Sequence, residues 1–144
     1  MSVKVLLADD SEIMRQALQR LLKSEPGLVI VGEADTFAAT VQMVGDCKPD
    51  VLVIDLHMPH KLDFPPAVVK SQFTCVDCTI AISFAVDKEA TALAESYGAV
   101  SLLDKMKLYT DLIPTIMKYS QTKKVPPPQP FKSASPAQNN QLSE

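Results

Sequence analysis

Three acidic residues follow two short apolar segments, and their type and placement suggest metal and phosphate chemistry. Asp9 and Asp10 come directly after the run Val3–Ala8, and Asp55 comes directly after the run 51–54. If these runs are neighbouring parallel strands, their carboxyl ends bring the three carboxylates into one crevice. Carboxylates gathered in this way repel one another unless a cation joins them, and Mg²⁺ prefers such hard oxygen ligands together with phosphate oxygens. The three residues therefore predict a metal-assisted phosphate site.

Three side chains at the predicted strand ends suit phosphoryl transfer. Asp55 begins a short loop that reaches Pro59, and an exposed carboxylate there can attack phosphorus to give an acyl phosphate. Lys105 follows the last strand candidate, where its ammonium would neutralise a phosphoryl oxygen or pair with Asp55. Ser83 ends the strand candidate before it, where its hydroxyl would donate to a phosphoryl oxygen. Each residue also has an ordinary structural interpretation: Asp55 can cap the next turn, Lys105 can be a surface lysine, and Ser83 can simply end a strand. For Asp55, the presence of Asp9 and Asp10 on the neighbouring strand weighs against the capping role.

Apolar runs alternate with amphipathic stretches along the chain, which predicts an α/β fold. The strand candidates are short and alternate poorly, as strands buried on both faces do. They are Val3–Ala8, Leu28–Gly32, Val51–Asp55, Thr79–Ser83 and Val100–Leu103. Between them lie five stripes with helical spacing, formed by Ile13, Ala17, Leu18, Leu21 and Leu22, by Phe37, Val41 and Val44, by Val68, Val69 and Phe73, by Ala90, Leu93, Ala94 and Tyr97, and by Leu108, Leu112, Ile113 and Ile116. This alternation predicts a parallel sheet with helices on both faces and a ligand site outside the carboxyl ends of its strands.

Glycine and proline residues predict where several of these helices end. Gly45 and Pro49 are expected to close the second helix, and Gly98 is expected to be a left-handed cap after the fourth. Pro114 must lie near the first turn of the last helix or bend it, because proline removes a helical hydrogen bond.

Length and composition indicate one globular domain followed by a tail. The 144 residues are 47% hydrophobic and 22% charged, which is enough for one domain with a proper core. Beyond residue 122 the chain holds five of its 11 prolines and few apolar residues. Such a segment cannot bury enough surface to offset its ordering entropy. We therefore expect a domain at 1–122 and a flexible, Pro-rich tail at 123–144.

Charge and hydropathy argue against two classes of partner. The net charge is −3 and no basic stripe is present, so the chain is not expected to bind nucleic acid. No apolar run approaches the roughly 20 residues that a membrane helix needs, and the N-terminus does not resemble a signal peptide. We therefore expect a cytoplasmic protein without membrane contacts.

The cysteines do not suggest a disulfide framework. Cys47, Cys75 and Cys78 are few and odd in number, which fits a reducing compartment. Cys75 and Cys78 have the spacing of half a zinc site, which His57 and His60 could complete from a different loop. A zinc site would want a second pair at matching spacing, and the sequence has none. Two ordinary thiols beside a strand are the favoured interpretation.

Taken together, these residues resemble the receiver domains of bacterial two-component response regulators. The resemblance covers about residues 1–120, and its parts occur in the family's order and at strand ends. It implies that Asp9 and Asp10 hold Mg²⁺ and that Asp55 is the phosphoacceptor and a further metal ligand. It also implies that the backbone carbonyl of His57 completes the metal shell.

The remaining matches concern switching, fold and partners. By the same resemblance, Ser83 is the switch hydroxyl and Lys105 is the lysine that contacts the phosphoryl group. The family implies a doubly wound, flavodoxin-like (βα)₅ fold with strand order 2-1-3-4-5. It also implies phosphorylation by a sensor histidine kinase or a phosphotransfer protein. The expected function is that of a stand-alone phosphoacceptor domain, not an enzyme.

The same family implies a surface that reports phosphorylation to a separate target protein. This surface comprises the fourth helix, the fifth strand and the fifth helix, and it includes Lys88, Glu89, Leu102 and Tyr109. The added negative charge is expected to pull Ser83 and the loop after it inward, and so to favour one of two existing conformations.

Three positions depart from the family pattern and keep alternatives open. Phe84 replaces a small residue and would crowd the phosphoryl site, Met106 replaces a proline, and Leu102 replaces an aromatic switch residue. These departures favour a degenerate receiver that signals without phosphorylation, whereas the complete set of acids and Lys105 opposes it. The other alternative is an aspartyl-phosphate phosphatase of the haloacid dehalogenase type. In those enzymes the nucleophile is the first residue of an Asp-x-Asp motif at the end of the first strand. Here the two acids that follow the first strand are adjacent.

Overall fold

The structure is a computed structural model, and it describes residues 2–58 and 65–120. The predicted tail at 123–144, the domain boundary at 122 and the loop 59–64 therefore lie outside the described residues.

A five-stranded parallel sheet forms the centre of the fold. Its strands are β1 (Val3–Ala8), β2 (Leu28–Ala34), β3 (Val51–Asp55), β4 (Cys78–Ser83) and β5 (Ser101–Asp104). They are arranged in the order β2-β1-β3-β4-β5, and every pairing is parallel. This confirms the predicted topology. The central strands β3 and β4 are buried along their whole length, because helices cover both faces of the sheet.

Helices connect the strands, and polar side chains begin three of them. They are α1 (Glu12–Lys23), α2 (Phe37–Cys47), α3 (Pro66–Gln72), α4 (Lys88–Ser96) and α5 (Leu108–Ser120), the last preceded by a short 3₁₀ turn at Lys105–Lys107. Ser11, Thr36 and Asp87 each accept a hydrogen bond from a backbone amide of the first turn that follows. Such caps satisfy amides that have no partner within the helix.

Each face of the sheet has its own apolar core. On one face lie Phe37 of α2 and Val69 of α3, together with Phe73 and Tyr97, the residues that directly follow α3 and α4. The rings of Phe37 and Tyr97 meet edge to face at 5.6 Å. On the other face, α1 and α5 contribute Leu18, Leu22, Leu112 and Ile116. Most of the predicted helical stripes therefore face the sheet.

Three residues predicted to lie on these stripes are instead turned toward solvent. Ile13 is 79% exposed and Ala17 is also exposed. The buried side of α1 runs through Met14 and Leu18, and neighbouring helical residues point about 100° apart, so Ile13 and Ala17 fall outside it. Val68 of α3 is likewise 43% exposed, one position before the buried Val69.

One predicted helix end differs from the structure and another is confirmed. Helix α2 continues through Gly45 to Cys47, and Lys48 takes the left-handed conformation with a φ of 46°. The following Pro49 cannot extend the helix, so the chain turns one residue before it. Pro114 lies inside α5 and past its first turn, which is the second of its two predicted placements, the one at which a proline bends a helix. Gly98 has a φ of +84°, which confirms the predicted cap after α4.

An irregularity in β2 affects the residue that follows it. The pairing between β1 and β2 shifts after Val5, so that Val5 is opposite Ile30 but Leu6 is opposite Gly32. Such a bulge re-aims the side chains beyond it. Glu33 comes next and lies opposite Leu7, near the carboxyl end of β1.

Within the described ranges, no helix is both long enough and apolar enough to cross a membrane.

Candidate functional site

Three carboxylates gather at the carboxyl ends of β1 and β3. These strands are hydrogen-bonded neighbours, with Ala8 opposite Ile54, so the residues that follow them in the chain emerge together. One carboxylate oxygen from each of Asp9, Asp10 and Asp55 lies within 4.8 Å of the others. Asp9 and Asp55 are buried, whereas Asp10 is exposed. The arrangement is a pocket with two inner acids and one acid at its rim.

Lys105 provides the cation that contacts both inner acids. Its Nζ lies 2.8 Å from Asp9 Oδ2 and 3.3 Å from Asp55 Oδ2, and only 6% of its side chain is exposed. The 3₁₀ turn after β5 places the lysine there, because Asp104 Oδ1 accepts a hydrogen bond of 2.9 Å from the Met106 amide and so starts the turn. One ammonium therefore serves two buried carboxylates, which leaves a net negative charge in the pocket.

The two oxygens of Asp9 have different surroundings. Oδ1 accepts a hydrogen bond of 2.8 Å from the Ser11 amide. Oδ2 is buried and has no hydrogen bond within the described residues, although Lys105 Nζ lies 2.8 Å from it as an ion-pair partner. A carboxylate oxygen has two lone pairs, so Asp9 Oδ2 can accept a further partner beside this ammonium. Together with the neighbouring carboxylates, it is the type of oxygen that a divalent cation binds. The residues at this site therefore fit Mg²⁺.

Burial raises the pKa of Asp55 above its ordinary value. The Asp9 charge raises this pKa further, whereas the His57 amide and the Lys105 ammonium lower it. The His57 amide donates to Asp55 Oδ1 at 3.1 Å, and the His57 residue itself is exposed. The pocket thus opposes ionisation of Asp55, which a second cation would favour.

Ser83 lies at the same edge of the sheet but has only local hydrogen bonds. Its buried hydroxyl donates to the Ala85 carbonyl at 2.8 Å and accepts from the Ala85 amide at 3.1 Å. Ser83 is opposite Asp104 in the sheet, one residue from Lys105. The hydroxyl must therefore leave the Ala85 carbonyl before it can donate to another group.

Two of the three departures from the family pattern lie beside this pocket. The ring centroid of Phe84 is 5.0 Å from Lys105 Nζ, a cation–π distance, although the side chain is 62% exposed. Met106 follows Lys105 and is 76% exposed. Leu102 lies further away and packs against the core of α2, α3 and α4. The Phe84 ring therefore lies over the Lys105 ammonium, at the outer side of the pocket.

Sequence analysis did not identify the contribution of α1 to this site. Arg15 Nη1 donates to the Asp9 backbone carbonyl at 2.7 Å, and Arg15 Nε pairs with Glu33 Oε1 at 2.9 Å. The only signal in the sequence is an arginine one helical turn after Ser11, and a charged residue on a helix is ordinarily solvated.

The cysteines are separate from the acidic pocket. Cys47, Cys75 and Cys78 are free thiols. Cys78 is buried in β4, and burial, with the Asp77 charge, raises its pKa to about 12, whereas zinc binds the thiolate form. Among residues 2–58 and 65–120, the group of His, Cys, Asp and Glu close enough to share a metal is the acidic one. His60 lies outside the described residues.

Comparison with known proteins agrees with the fold. Residues 5–116 match the response regulator receiver domain family. Among solved structures, the chain resembles the receiver domain of NarL from Mycobacterium tuberculosis with a TM-score of 0.73 and 25% identity, covering 83% of this chain and 97% of the other. It resembles the response regulator domain of Thermotoga maritima CheB with a TM-score of 0.71 and 26% identity, covering 88% and 100%.

Curated relatives are longer than this chain. The protein-glutamate methylesterase/protein-glutamine glutaminase of Pyrococcus horikoshii is 34% identical over 134 residues, which is 86% of this chain and 36% of the relative. The corresponding protein 2 of Shewanella oneidensis is also 34% identical, over 78% of this chain and 35% of the relative. The chain therefore spans about a third of the length of these relatives.

The fold and the site define a phosphoacceptor signalling domain. The chain belongs to the response regulator receiver domain family. This membership decides against the phosphatase alternative, and it leaves the departures at Phe84, Leu102 and Met106 to be tested by experiment.

Proposed function

We propose that this protein receives a phosphoryl group on Asp55 from a sensor histidine kinase or a phosphotransfer protein and relays the signal through protein contacts. The observation that carries the proposal is the pocket in which Asp9, Asp10 and Asp55 bring their oxygens within 4.8 Å, with Lys105 in contact with both inner acids. An acceptor, a metal-binding set and a cation are what a phosphoryl-transfer site requires.

Mg²⁺ is the metal that this donor set suits. The carboxylates of Asp9, Asp10 and Asp55 and the backbone carbonyl of His57 would hold it. When bound, Mg²⁺ supplies positive charge that offsets the charge on the transferring phosphoryl group. The buried Asp9 Oδ2, which has no hydrogen bond within the described residues, supports this assignment.

Asp55 is the nucleophile in the proposed reaction. One of its carboxylate oxygens forms a bond to phosphorus while the bond from phosphorus to the donor breaks, and the donor keeps that electron pair. The His57 amide, which donates to Asp55 Oδ1, leaves Oδ2 as the reacting atom. Lys105 Nζ lies 3.3 Å from this oxygen. After the transfer, the same ammonium would contact an oxygen of the phosphoryl group on Asp55.

The protein is proposed to act on itself and not on a separate substrate. Asp55 is consumed as an acceptor, so turnover is limited to hydrolysis of its own acyl phosphate. The methylesterase and glutaminase names belong to relatives of which this chain covers about a third, and neither activity is proposed here.

The proposal predicts Mg²⁺-dependent phosphorylation by a small donor. Incubation with acetyl phosphate and Mg²⁺ should add the mass of one phosphoryl group, and chelation of the metal with EDTA should prevent the addition. Intact mass spectrometry measures both. If no adduct forms but Mg²⁺ binds, the site requires its protein donor. If neither adduct nor Mg²⁺ binding is found, the protein is a degenerate receiver and the proposal fails.

We propose that the surface formed by α4, β5 and α5 reports phosphorylation to a separate protein. Lys88 and Glu89 are exposed, Tyr109 is 83% exposed, and Leu102 is half-buried at the core edge. The surface begins beside the pocket, since Phe84 contacts Lys105 and Ser83 bonds to Ala85. A change at the acceptor can therefore reach it through the β4–α4 loop.

Backbone amide chemical shifts test this output surface. Phosphorylation should change the shifts between Ala85 and Tyr109, while α2 at residues 37–47 serves as an internal comparison. Changes of equal size in both regions, or none in residues 85–109, would remove the basis for this surface.

We also propose where the protein is located and which partners it does not bind. A net charge of −3 and three free cysteines support a cytoplasmic protein that does not itself bind nucleic acid or membrane. We further propose that residues 1–122 are the receiver domain and residues 123–144 a flexible, Pro-rich tail.

A further inference from the structure

Arg15 connects α1 and β2 to the backbone of the acidic pair. Its Nη1 donates to the Asp9 carbonyl at 2.7 Å, and its Nε donates to Glu33 Oε1 at 2.9 Å. Gln19, one turn further along α1, donates to the other oxygen of Glu33. The guanidinium is thus fixed on both sides, and 16% of the Arg15 side chain is exposed.

These contacts hold the peptide unit that joins Asp9 to Asp10. The Asp9 amide donates to the Ala34 carbonyl at the end of β2 at 3.0 Å, and the Asp9 carbonyl accepts from Arg15. The carbonyl of Asp9 belongs to the same planar unit as the amide of Asp10. Fixing that plane fixes the direction in which Asp10 leaves the strand.

Asp10 has few other constraints. It is exposed, and no hydrogen bond or ion pair to its carboxylate is present within residues 2–58 and 65–120. Asp9 and Asp55 differ from it, since backbone amides and Lys105 hold their carboxylates. Of the three acids, Asp10 therefore depends most on its backbone for its position.

We infer that Arg15 is a positioning residue that presents Asp10 to the divalent cation, with Glu33 and Gln19 orienting the guanidinium. This inference rests on the metal site of the proposed function. It assigns a role in metal affinity to a residue that does not contact the metal. Residues that orient metal ligands typically change metal affinity by 10- to 100-fold when they are replaced.

A simple charge effect has the opposite sign, which makes the inference testable. Removing a positive charge near three carboxylates should strengthen Mg²⁺ binding, whereas losing the positioning contact should weaken it. Arg20 provides the matched control, since it is an exposed arginine on the same helix.

The experiment is an isothermal titration with Mg²⁺ of the full chain, together with urea unfolding of each variant without metal. Arg15→Met is expected to raise the Mg²⁺ dissociation constant about tenfold, and Arg20→Met to change it less than about twofold. Arg15→Lys should recover part of the affinity, because an ammonium reaches the carbonyl but lacks the fork that also binds Glu33.

The outcomes separate this inference from the proposed function. An Arg15→Met variant that is less stable but binds Mg²⁺ as wild type does, or more tightly, would overturn the positioning role and leave the metal site intact. A wild-type protein that fails to bind Mg²⁺ would overturn the metal site and this inference with it. Weaker binding in Arg15→Met with normal binding in Arg20→Met supports the inference.

Discussion

Replacing Asp55 with Asn is expected to abolish the phosphoryl adduct that acetyl phosphate and Mg²⁺ produce on the wild-type protein. The side chains are nearly the same size, so Asn can accept the His57 amide bond that Asp55 accepts at 3.1 Å. An amide oxygen is not a nucleophile toward phosphorus, and a neutral side chain contributes less to the metal site. The loss should therefore be complete, without unfolding of the protein.

The comparison needs an acid that lies away from the pocket. Asp46→Asn removes an exposed carboxylate from α2 and should leave the adduct unchanged. Intact mass spectrometry of both variants, with and without Mg²⁺, gives the result directly. A persistent adduct in Asp55→Asn would assign the acceptor to another residue, which peptide mapping would then identify.

Replacing Lys105 with Met is expected to lower the free energy of unfolding by about 3–5 kcal/mol near neutral pH in the absence of Mg²⁺. Breaking a buried ion pair from one side costs on that order, because a buried charge is left without compensation. Here the loss leaves two buried carboxylates, since Lys105 lies within 3.3 Å of Asp55 and 2.8 Å of Asp9. Met retains an unbranched apolar stem, so the change removes mainly the charge.

The pH dependence of this effect has a definite sign. Burial raises the pKa of Asp55 from its ordinary value of 3.8, so the folded protein holds that proton more tightly than the unfolded chain does. The stability that this tighter proton binding contributes is fully present below the pKa of Asp55 in the unfolded chain. It is lost as the pH rises through the pKa of Asp55 in the folded protein. Removing Lys105 removes a charge that lowers this pKa. The variant should therefore lose more stability than wild type between about pH 4 and about pH 7.

Urea unfolding at these two pH values, with and without Mg²⁺, measures the prediction. Lys107→Met, in the same turn but exposed, should stay within about 0.5 kcal/mol of wild type. Mg²⁺ should restore part of the stability of Lys105→Met because it supplies the missing positive charge. A deficit that is the same at both pH values and insensitive to Mg²⁺ would mean that Lys105 acts through packing.

Much of the fold could be predicted from the sequence because burial leaves a direct pattern. The mostly apolar runs of β1 and β3 and the helical stripes specify a two-sided parallel sheet. The prediction was wrong at Ile13, because a helical residue one position away from the buried stripe points toward solvent. It was also wrong at the end of α2, because the backbone conformation of Lys48 determines where that helix ends. Lysine carries no signal for a left-handed φ, so the sequence predicts the end of α2 at Gly45 and not at Lys48.

Some features of the candidate site could likewise be predicted from the sequence, and others could not. Asp9, Asp10, Asp55, Lys105 and Ser83 could be placed because each follows or ends a strand and strand ends meet at one edge. The sharing of Lys105 between two acids and the position of the Phe84 ring depend on packed side-chain conformations. The bond from Arg15 to a backbone carbonyl depends on how α1 lies over β2, which no local pattern of residues encodes.

The hydroxyl of Ser83 sets a limit on how strongly phosphorylation can act as a switch. To reach a phosphoryl oxygen it must give up its 2.8 Å bond to the Ala85 carbonyl, so one hydrogen bond is exchanged for another. A bond to a charged acceptor is roughly twice as strong as a neutral one, a gain of about 1 kcal/mol. That gain changes the ratio of the two loop conformations about fivefold, whereas moving from 1:99 to 99:1 needs about 5.5 kcal/mol. On this contact alone the response is graded, and a target protein that prefers the inward loop would supply the rest of the shift, so output depends on target concentration as well as on phosphorylation.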